Sequence, residues 1–208
     1  MDFAEMRRCV VEGDRDTLAP AIAQALASGA DPAALLGEAL IPGMDEVGDL
    51  FARNEYFLPE VLLSARAVQS ALDVLRPRLA ERGVEPVGTV VLGTVQGDLH
   101  DIGKNLIGMM LEGAGFRVVD LGTNVTPDRF LQAARENGAA LVALSALLTT
   151  TMPAMQATVA AVRAGGLGKV KLIVGGAPVT EAFARSIGAD GYAPDASSAV
   201  AWARSLGA

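Results

Sequence analysis

Gly88-Thr89-Val90-Val91-Leu92-Gly93-Thr94-Val95-Gln96-Gly97-Asp98-Leu99-His100-Asp101-Ile102-Gly103 is the stretch that decides how this chain folds. From Gly88 to Thr94 it is β-branched and apolar, and it reads as a strand. From Ile102 to Ala114 the spacing is helical, with a stop at Gly115. Between them lies an Asp-x-His-x-x-Gly loop that holds the only histidine of the chain. A loop at a strand's carboxyl end faces the crevice where open α/β sheets bind ligands. Asp98 stands two residues before His100 and is placed to accept a hydrogen bond from one ring nitrogen. That bond fixes the tautomer and leaves the other nitrogen free as a metal ligand.

The alternation continues downstream. Arg117 to Leu121 reads as a strand, and Thr126-Pro127 opens a helix that closes at Gly138. Leu141 to Ser145 is a buried strand and Met152 to Ala164 a helix ending at Gly165-Gly166. Lys171 to Val174 is a strand, Thr180 to Ile187 a helix, and a short strand near Tyr192 precedes a last helix from Ala196 to Leu206. Strand–helix units with continuous apolar strands predict a parallel sheet covered on both faces, an α/β fold. The expected class is a flavodoxin-like or Rossmann-like doubly wound sheet. The flavodoxin-like order is preferred over a six-stranded dinucleotide-binding order.

Upstream, as far as Ala80, the texture is purely helical. Asp16 is placed to cap a segment ending near Gly29, and Asp31-Pro32 is a cap followed by proline. Pro42 should break or kink the following helix near Ile41. Met44, Val47, Leu50 and Phe51 recur at helical spacing, and Leu58, Val61, Leu62, Ala65, Val68 and Leu72 fall on one stripe. A small helical bundle is expected over residues 1–83 and an α/β domain over 87–208. Glu81-Arg82-Gly83-Val84-Glu85-Pro86, charged and broken by Gly and Pro, is the linker.

Composition removes several classes of function. The formal net charge is −7 and no basic patch stands out, which argues against nucleic acid and anionic membrane as partners. The longest apolar stretch, Ala139 to Leu148, is about half the ~20 residues a membrane span needs. Met1-Asp2-Phe3-Ala4-Glu5 has no basic start of an export signal, so a cytoplasmic location is expected. One histidine and one cysteine cannot complete a structural zinc site. A Cys–His nucleophile pair would need Cys9 to meet His100. Cys9 reads instead as a small buried apolar residue.

Three strand–helix junctions carry unusual residues. They are Gln96 to Gly103 after the first strand, Ser145-Ala146-Leu147-Leu148-Thr149-Thr150-Thr151-Met152 after the third, and Gly175-Gly176-Ala177-Pro178 after the fourth. In a flavodoxin-like order those three strands are neighbours, so their loops converge on one crevice. Gly103, Gly175 and Gly176 would let a large planar ligand approach the backbone. The hydroxyls of Ser145, Thr149 and Thr151 would line a slot and hydrogen-bond a polar tail. Each feature alone also fits a structural histidine, a tight turn or a helix cap. Their coincidence at successive strand ends points to a ligand.

These motifs resemble those of the cobalamin-binding corrinoid proteins, the methyl-carrier subunits of corrinoid-dependent methyltransferase systems. The chain is also similar to the cobalamin module of methionine synthase. The resemblance covers nearly the whole chain. Asp98-x-His100-x-x-Gly103 matches the cobalt-ligand motif, Ser145-x-Leu147 with Thr149 the second, and Gly175-Gly176 the third. Val47-Gly48-Asp49-Leu50-Phe51 followed by Tyr56-Phe57-Leu58-Pro59-Glu60 resembles the helical cap. The resemblance implies that the benzimidazole tail of cobalamin leaves cobalt and inserts between the loops, and that His100 replaces it below the metal. Asp98 would support His100, and Thr151 stands where methionine synthase has a serine hydroxyl. Leu99, Asp101, Gly103, Ser145, Leu147, Thr149, Gly175, Gly176 and Ala196 would contact the cofactor. Phe57, Leu58 and Val61 would reach its upper face, although their spacing equally suits bundle core.

By the same resemblance, cobalt alternates between cob(I)alamin and methylcobalamin, or a related corrinoid. An ionised Asp98 makes His100 the better donor. The chain would not turn over alone. It would need a substrate-specific barrel methyltransferase, a second methyltransferase passing the methyl group to tetrahydrofolate or a thiol, and a reductive activase. The cap would swing aside at Glu81 to Val87. Competing readings are an adenosylcobalamin-binding subunit of a radical mutase, a cobalamin-based sensor, and a corrinoid-free flavodoxin-like receiver. The first expects a separate barrel subunit and the second an appended output domain. The third wants a lysine after its last strand, where Lys171 instead precedes a strand.

Overall fold

The computed structural model describes residues 1–206. The chain divides into two compact units. One is Met1–Pro86 with Met109–Gly115, and the other is Val87–Gly108 with the chain from Phe116 onward.

The first unit is helical: α1 (Phe3–Glu12), α2 (Arg15–Ala27), α3 (Pro32–Ala34), α4 (Ile41–Ala52) and α5 (Leu58–Glu81). Asp2 and Glu5 cap α1 reciprocally, each carboxylate accepting from the other residue's N–H at 2.8 and 2.9 Å. The cap of α2 is Asp14, which accepts from the Thr17 N–H at 3.0 Å. The expected cap, Asp16, lies two residues further on, in the first turn, where its charge complements the helix dipole. Pro42 does not break its helix. A π-helical segment over Leu35–Leu40 runs directly into α4, so Pro42 enters in that helix's first turn, where an N–H is not needed.

α5 buries Val61, Ala65, Val68, Leu72 and Leu75 and packs against α1, α2 and α4. Burying a side chain such as Leu75 contributes about 1.5–3 kcal/mol. The Val11 carbonyl, near the C-terminal end of α1, accepts from the hydroxyls of Ser64 (3.0 Å) and Tyr56 (3.1 Å). Cys9 is buried and unpaired. Burial, then the charges of Asp14 and Glu12, push its thiol up, so it packs as an apolar residue.

From Val87 on, the chain alternates β1 (Thr89–Thr94), α6 (Ile102–Gly113, whose residues from Met109 on are counted with the first unit), β2 (Arg117–Asp120), α7 (Pro127–Glu136), β3 (Leu141–Ser145), α8 (Met152–Ala164), β4 (Lys171–Gly175), α9 (Glu181–Ser186), β5 (Gly191–Ala193) and α10 (Ala196–Arg204). The strands are all parallel in the order β2-β1-β3-β4-β5, the flavodoxin-like arrangement. β3 is buried along its whole length, as is β1 from Val90 onward, whereas the edge strand β2 has exposed ends. Phe130, Met155, Val159 and Leu172 are among the fully buried side chains of this core.

Register places the site. Thr94 pairs with Ser145 and Ser145 with Gly175, so β1, β3 and β4 end level. At the other end of the sheet, the Asp190 carboxylate accepts from the Leu172 N–H (2.8 Å), the Arg163 guanidinium and the Lys171 ammonium. Among the described residues, no helix is long and apolar enough to cross a membrane.

Candidate functional site

After β1 the chain turns at Gly97, with φ 86°, and buries the Asp98 side chain completely. Each carboxylate oxygen accepts twice. Oδ1 takes the His100 ring nitrogen Nδ1 at 2.6 Å and the His100 backbone N–H at 3.1 Å. Oδ2 takes the Leu147 N–H at 2.7 Å and the Thr151 hydroxyl at 2.8 Å. Asp98 thus ties the loop after β1 to the loop after β3. Burial alone would push its carboxyl up. The hydrogen bonds outweigh that, the His100 ring foremost, and hold it well below the usual carboxylate range. Thr151 also lies 2.9 Å from the Leu148 carbonyl. Its single proton goes preferentially to the charged acceptor.

An ionised Asp98 can only accept. Nδ1 of His100 therefore carries a proton, and in the neutral ring Nε2 keeps its lone pair. The backbone of His100 is held on both sides: its N–H by Asp98, and its carbonyl by the hydroxyl of the fully buried Thr94 at 2.8 Å. The ring itself is 49 % exposed. A lone pair is presented at a fixed place on the carboxyl edge of the sheet. Leu99 and Ile102, beside it in sequence, and Leu148, on the loop tied to Asp98, are exposed apolar side chains.

The glycines divide into two kinds. No atom lies within 4 Å of where a Cβ would stand on Gly103, so the backbone there is open to a ligand. At Gly175 and Gly176 the surrounding backbone itself leaves no room for a side chain. A Cβ on Gly175 would stand 2.7 Å from the Ala193 carbonyl oxygen, and one on Gly176 (φ 128°) would collide with the Ala146 carbonyl. These glycines let the loop after β4 close onto the ends of its own neighbouring strands. Of the hydroxyls expected to line a slot, Thr149 is exposed, Ser145 is buried, and Thr151 turns inward to Asp98. Asp101 and Thr149 are accessible, whereas Ala196, the first residue of the helix that Asp195 caps, is buried.

Among the described residues, no group of three or more His, Cys, Asp or Glu side chains is placed to hold a metal ion. One preorganised imidazole, exposed apolar side chains and an open backbone at Gly103 suit a metal that brings its own equatorial ligands. A family model of the B12 binding domain matches residues 88–201, and a second B12 binding domain matches residues 3–76. The chain belongs to the B12-binding family.

This corrinoid protein is 43% identical over 203 residues to the trimethylamine corrinoid protein of Methanosarcina barkeri, covering 96% of this chain and 93% of the relative. A cobalamin-binding protein from Desulfitobacterium hafniense superposes with a TM-score of 0.80 at 32% identity, covering 99% of this chain and 98% of that one. One chain of the methanol:cobalamin methyltransferase complex of Methanosarcina barkeri superposes with a TM-score of 0.85 at 30% identity, over 97% of this chain and 78% of that one. The residues at the carboxyl edge of the sheet are consistent with a corrinoid.

Within the helical unit of the corrinoid protein, Phe57 and Leu58 are exposed, whereas Val61 is fully buried. Val61 therefore packs as core, the alternative its spacing left open. Sequence reading did not single out Thr94. Its only local signal is a hydroxyl at the last position of a buried strand, where an apolar side chain would otherwise be expected.

Proposed function

We propose that this corrinoid protein carries a methyl group between two methyltransferases and that His100 is the lower axial ligand of its cobalt. The observation that carries the ligand assignment is the Asp98–His100 pair. A buried, four-fold hydrogen-bonded carboxylate holds Nδ1 and leaves Nε2 presented on a half-exposed ring. The bound corrinoid supplies a cobalt centre able to accept and release a methyl group. The chain's own residues do the rest. Asp98 keeps the proton on Nδ1 and raises the donor strength of Nε2. Thr94 fixes the backbone carbonyl of His100, and Thr151 and the Leu147 N–H keep Asp98 from turning away. Gly103, three residues on, leaves its backbone open.

The carrier role draws support from the relatives. One is named for trimethylamine, and a structural neighbour is a methanol:cobalamin methyltransferase complex. Both names join a corrinoid to a small methyl compound. We assign a substrate-specific methyltransferase as the partner that loads the methyl group. A second methyltransferase, passing it to tetrahydrofolate or a thiol, unloads it, and a reductive activase is a third partner. With one cysteine and one histidine, the chain has no ligand set for the zinc ion that commonly activates a thiol acceptor, so acceptor activation falls to the partner.

The test is the EPR spectrum of the chain loaded with cob(II)alamin, wild type beside His100→Ala. Nitrogen splitting from an imidazole in the wild type, lost in the variant, is the expected result. Spectra that do not depend on His100 would refute the assignment.

A further inference from the structure

We infer that Asn124, on the loop after β2, is a positioning residue for His100. The loop of interest runs from Leu121 to Thr126 and stays stitched to the end of β1 after the β2 ladder stops. Gly122 accepts from the Thr94 N–H (2.9 Å), and the Val125 N–H donates to the Thr94 carbonyl (3.0 Å). Between these bonds the chain makes a detour with Asn124 at its apex, in the left-handed conformation at φ 55°. Few residues other than glycine adopt that conformation, and asparagine is one of them.

Asn124 spends both of its polar contacts on the loop that carries His100. Its Oδ1 accepts from the Gly97 N–H at 2.8 Å, and its backbone N–H donates to the Asp98 carbonyl at 2.9 Å. Gly97 is itself in a left-handed conformation, at φ 86°. Its N–H is therefore aimed by a turn that needs an outside acceptor to hold it. The detour is braced from a second side. The Asp120 carboxylate accepts from the Gly122 N–H (2.8 Å) and from the ammonium of Lys104, a buried lysine that directly follows Gly103.

The consequence follows from the geometry of Asp98. Its side chain is positioned by the loops after β1 and β3, whereas its backbone is held by its own N–H on the Val95 carbonyl (3.1 Å) and by the Asn124 N–H on its carbonyl. With the Asn124 clasp open, the turn at Gly97 gains freedom and Asp98 no longer presents Oδ1 to Nδ1 at one fixed angle. A metal ligand oriented by such a second layer typically loses about 10–100-fold in affinity when that layer is removed. Asn124 touches the chain two steps away from the metal, so its loss falls at the low end, about tenfold.

This inference rests on His100 as the cobalt ligand, and the experiment separates the two. His100 is the only histidine, so selectively labelled protein gives one pair of imidazole nitrogen signals with no cofactor present. Asn124→Gly keeps the backbone conformation and the N–H but removes the side-chain acceptor. Asn124→Asp restores an acceptor and tolerates the same conformation. In cofactor-free wild type, the nitrogen shifts should report a proton held on Nδ1. In Asn124→Gly the Nδ1–H signal should broaden or be lost as the tautomers mix, and in Asn124→Asp it should return. Loaded with cob(II)alamin, Asn124→Gly should bind about tenfold more weakly, with reduced imidazole splitting in the EPR spectrum, again rescued by Asn124→Asp. Imidazole shifts in Asn124→Gly identical to wild type would overturn the inference, whatever happens to the melting temperature. Absence of His100-dependent splitting in the wild type would instead overturn the ligand assignment, while the cofactor-free shifts would still decide the role of Asn124.

Discussion

The hydroxyl of Thr151 lies 2.8 Å from Oδ2 of Asp98, so the last hydrogen bond of a buried carboxylate on one loop is supplied by a residue 53 positions away on another. Thr151 is itself nearly buried, at 5% exposure. Thr151→Val keeps the shape and deletes the donor. It should cost about 1–3 kcal/mol of stability, the range for leaving a buried polar group unsatisfied. Thr151→Ser should recover most of it. Urea unfolding of the three proteins measures this, and an unchanged midpoint in Thr151→Val would show that the bond contributes nothing.

Asp98→Asn replaces one acceptor oxygen with an amide that can only donate. At least one of the four donors around it then faces another donor. Affinity for cob(II)alamin should fall about 10–100-fold by equilibrium dialysis, as expected for loss of a ligand-orienting carboxylate.

The glycines of the site should respond in opposite ways. Gly103→Ala places its Cβ in open space within α6, so stability should hold or rise by about 0.4–1 kcal/mol while corrinoid retention drops. Gly176→Ala meets the Ala146 carbonyl at a φ that L side chains avoid and should lose stability by at least about 1–3 kcal/mol before any ligand is added. Thermal melts with and without cobalamin separate the two effects.

Asp190 makes stability depend on pH. Burial alone would raise its carboxyl, but the hydrogen bonds and charges led by Arg163 and the Leu172 N–H lower it below its ordinary value. Because the folded-state value lies below the unfolded one, the unfolded chain takes up the proton first. The stabilisation is therefore complete above about pH 5 and fades as pH drops through about 4 and below. Asp190→Asn should flatten that part of the stability curve relative to wild type. Parallel curves for the two proteins from pH 6 to pH 3 would contradict this.

The resemblance names both Val61 and Phe57 for the cofactor's upper face, and the two should differ in unfolding experiments. Val61 is fully buried and Phe57 is 61% exposed. Val61→Ala should destabilise by about 1–3 kcal/mol through lost burial and cavity formation. Phe57→Ala should stay within about 0.5 kcal/mol of wild type.

The sequence by itself determined the alternation of strands and helices, because period and punctuation are local properties that each segment carries alone. It also determined a covered parallel sheet, since continuous apolar strands are joined by single helices, and left two strand orders open, between which the pairing of the strands decided. The pairing of Asp98 with His100 was legible too, because two residues on one tight loop meet whatever surrounds them. The tertiary structure alone decided what completes that pair. Thr94, Leu147, Thr151 and Asn124 reach the loop only because the strand register brings Thr94 level with Ser145 and keeps the chain after β2 bonded to the end of β1. It also decided that no side chain fits at Gly175 and Gly176, that Val61 is buried, and that Pro42 is absorbed by a π-helical segment instead of breaking its helix. Each of these depends on which atoms from distant segments share a few cubic ångströms, and residue spacing along one chain does not encode that.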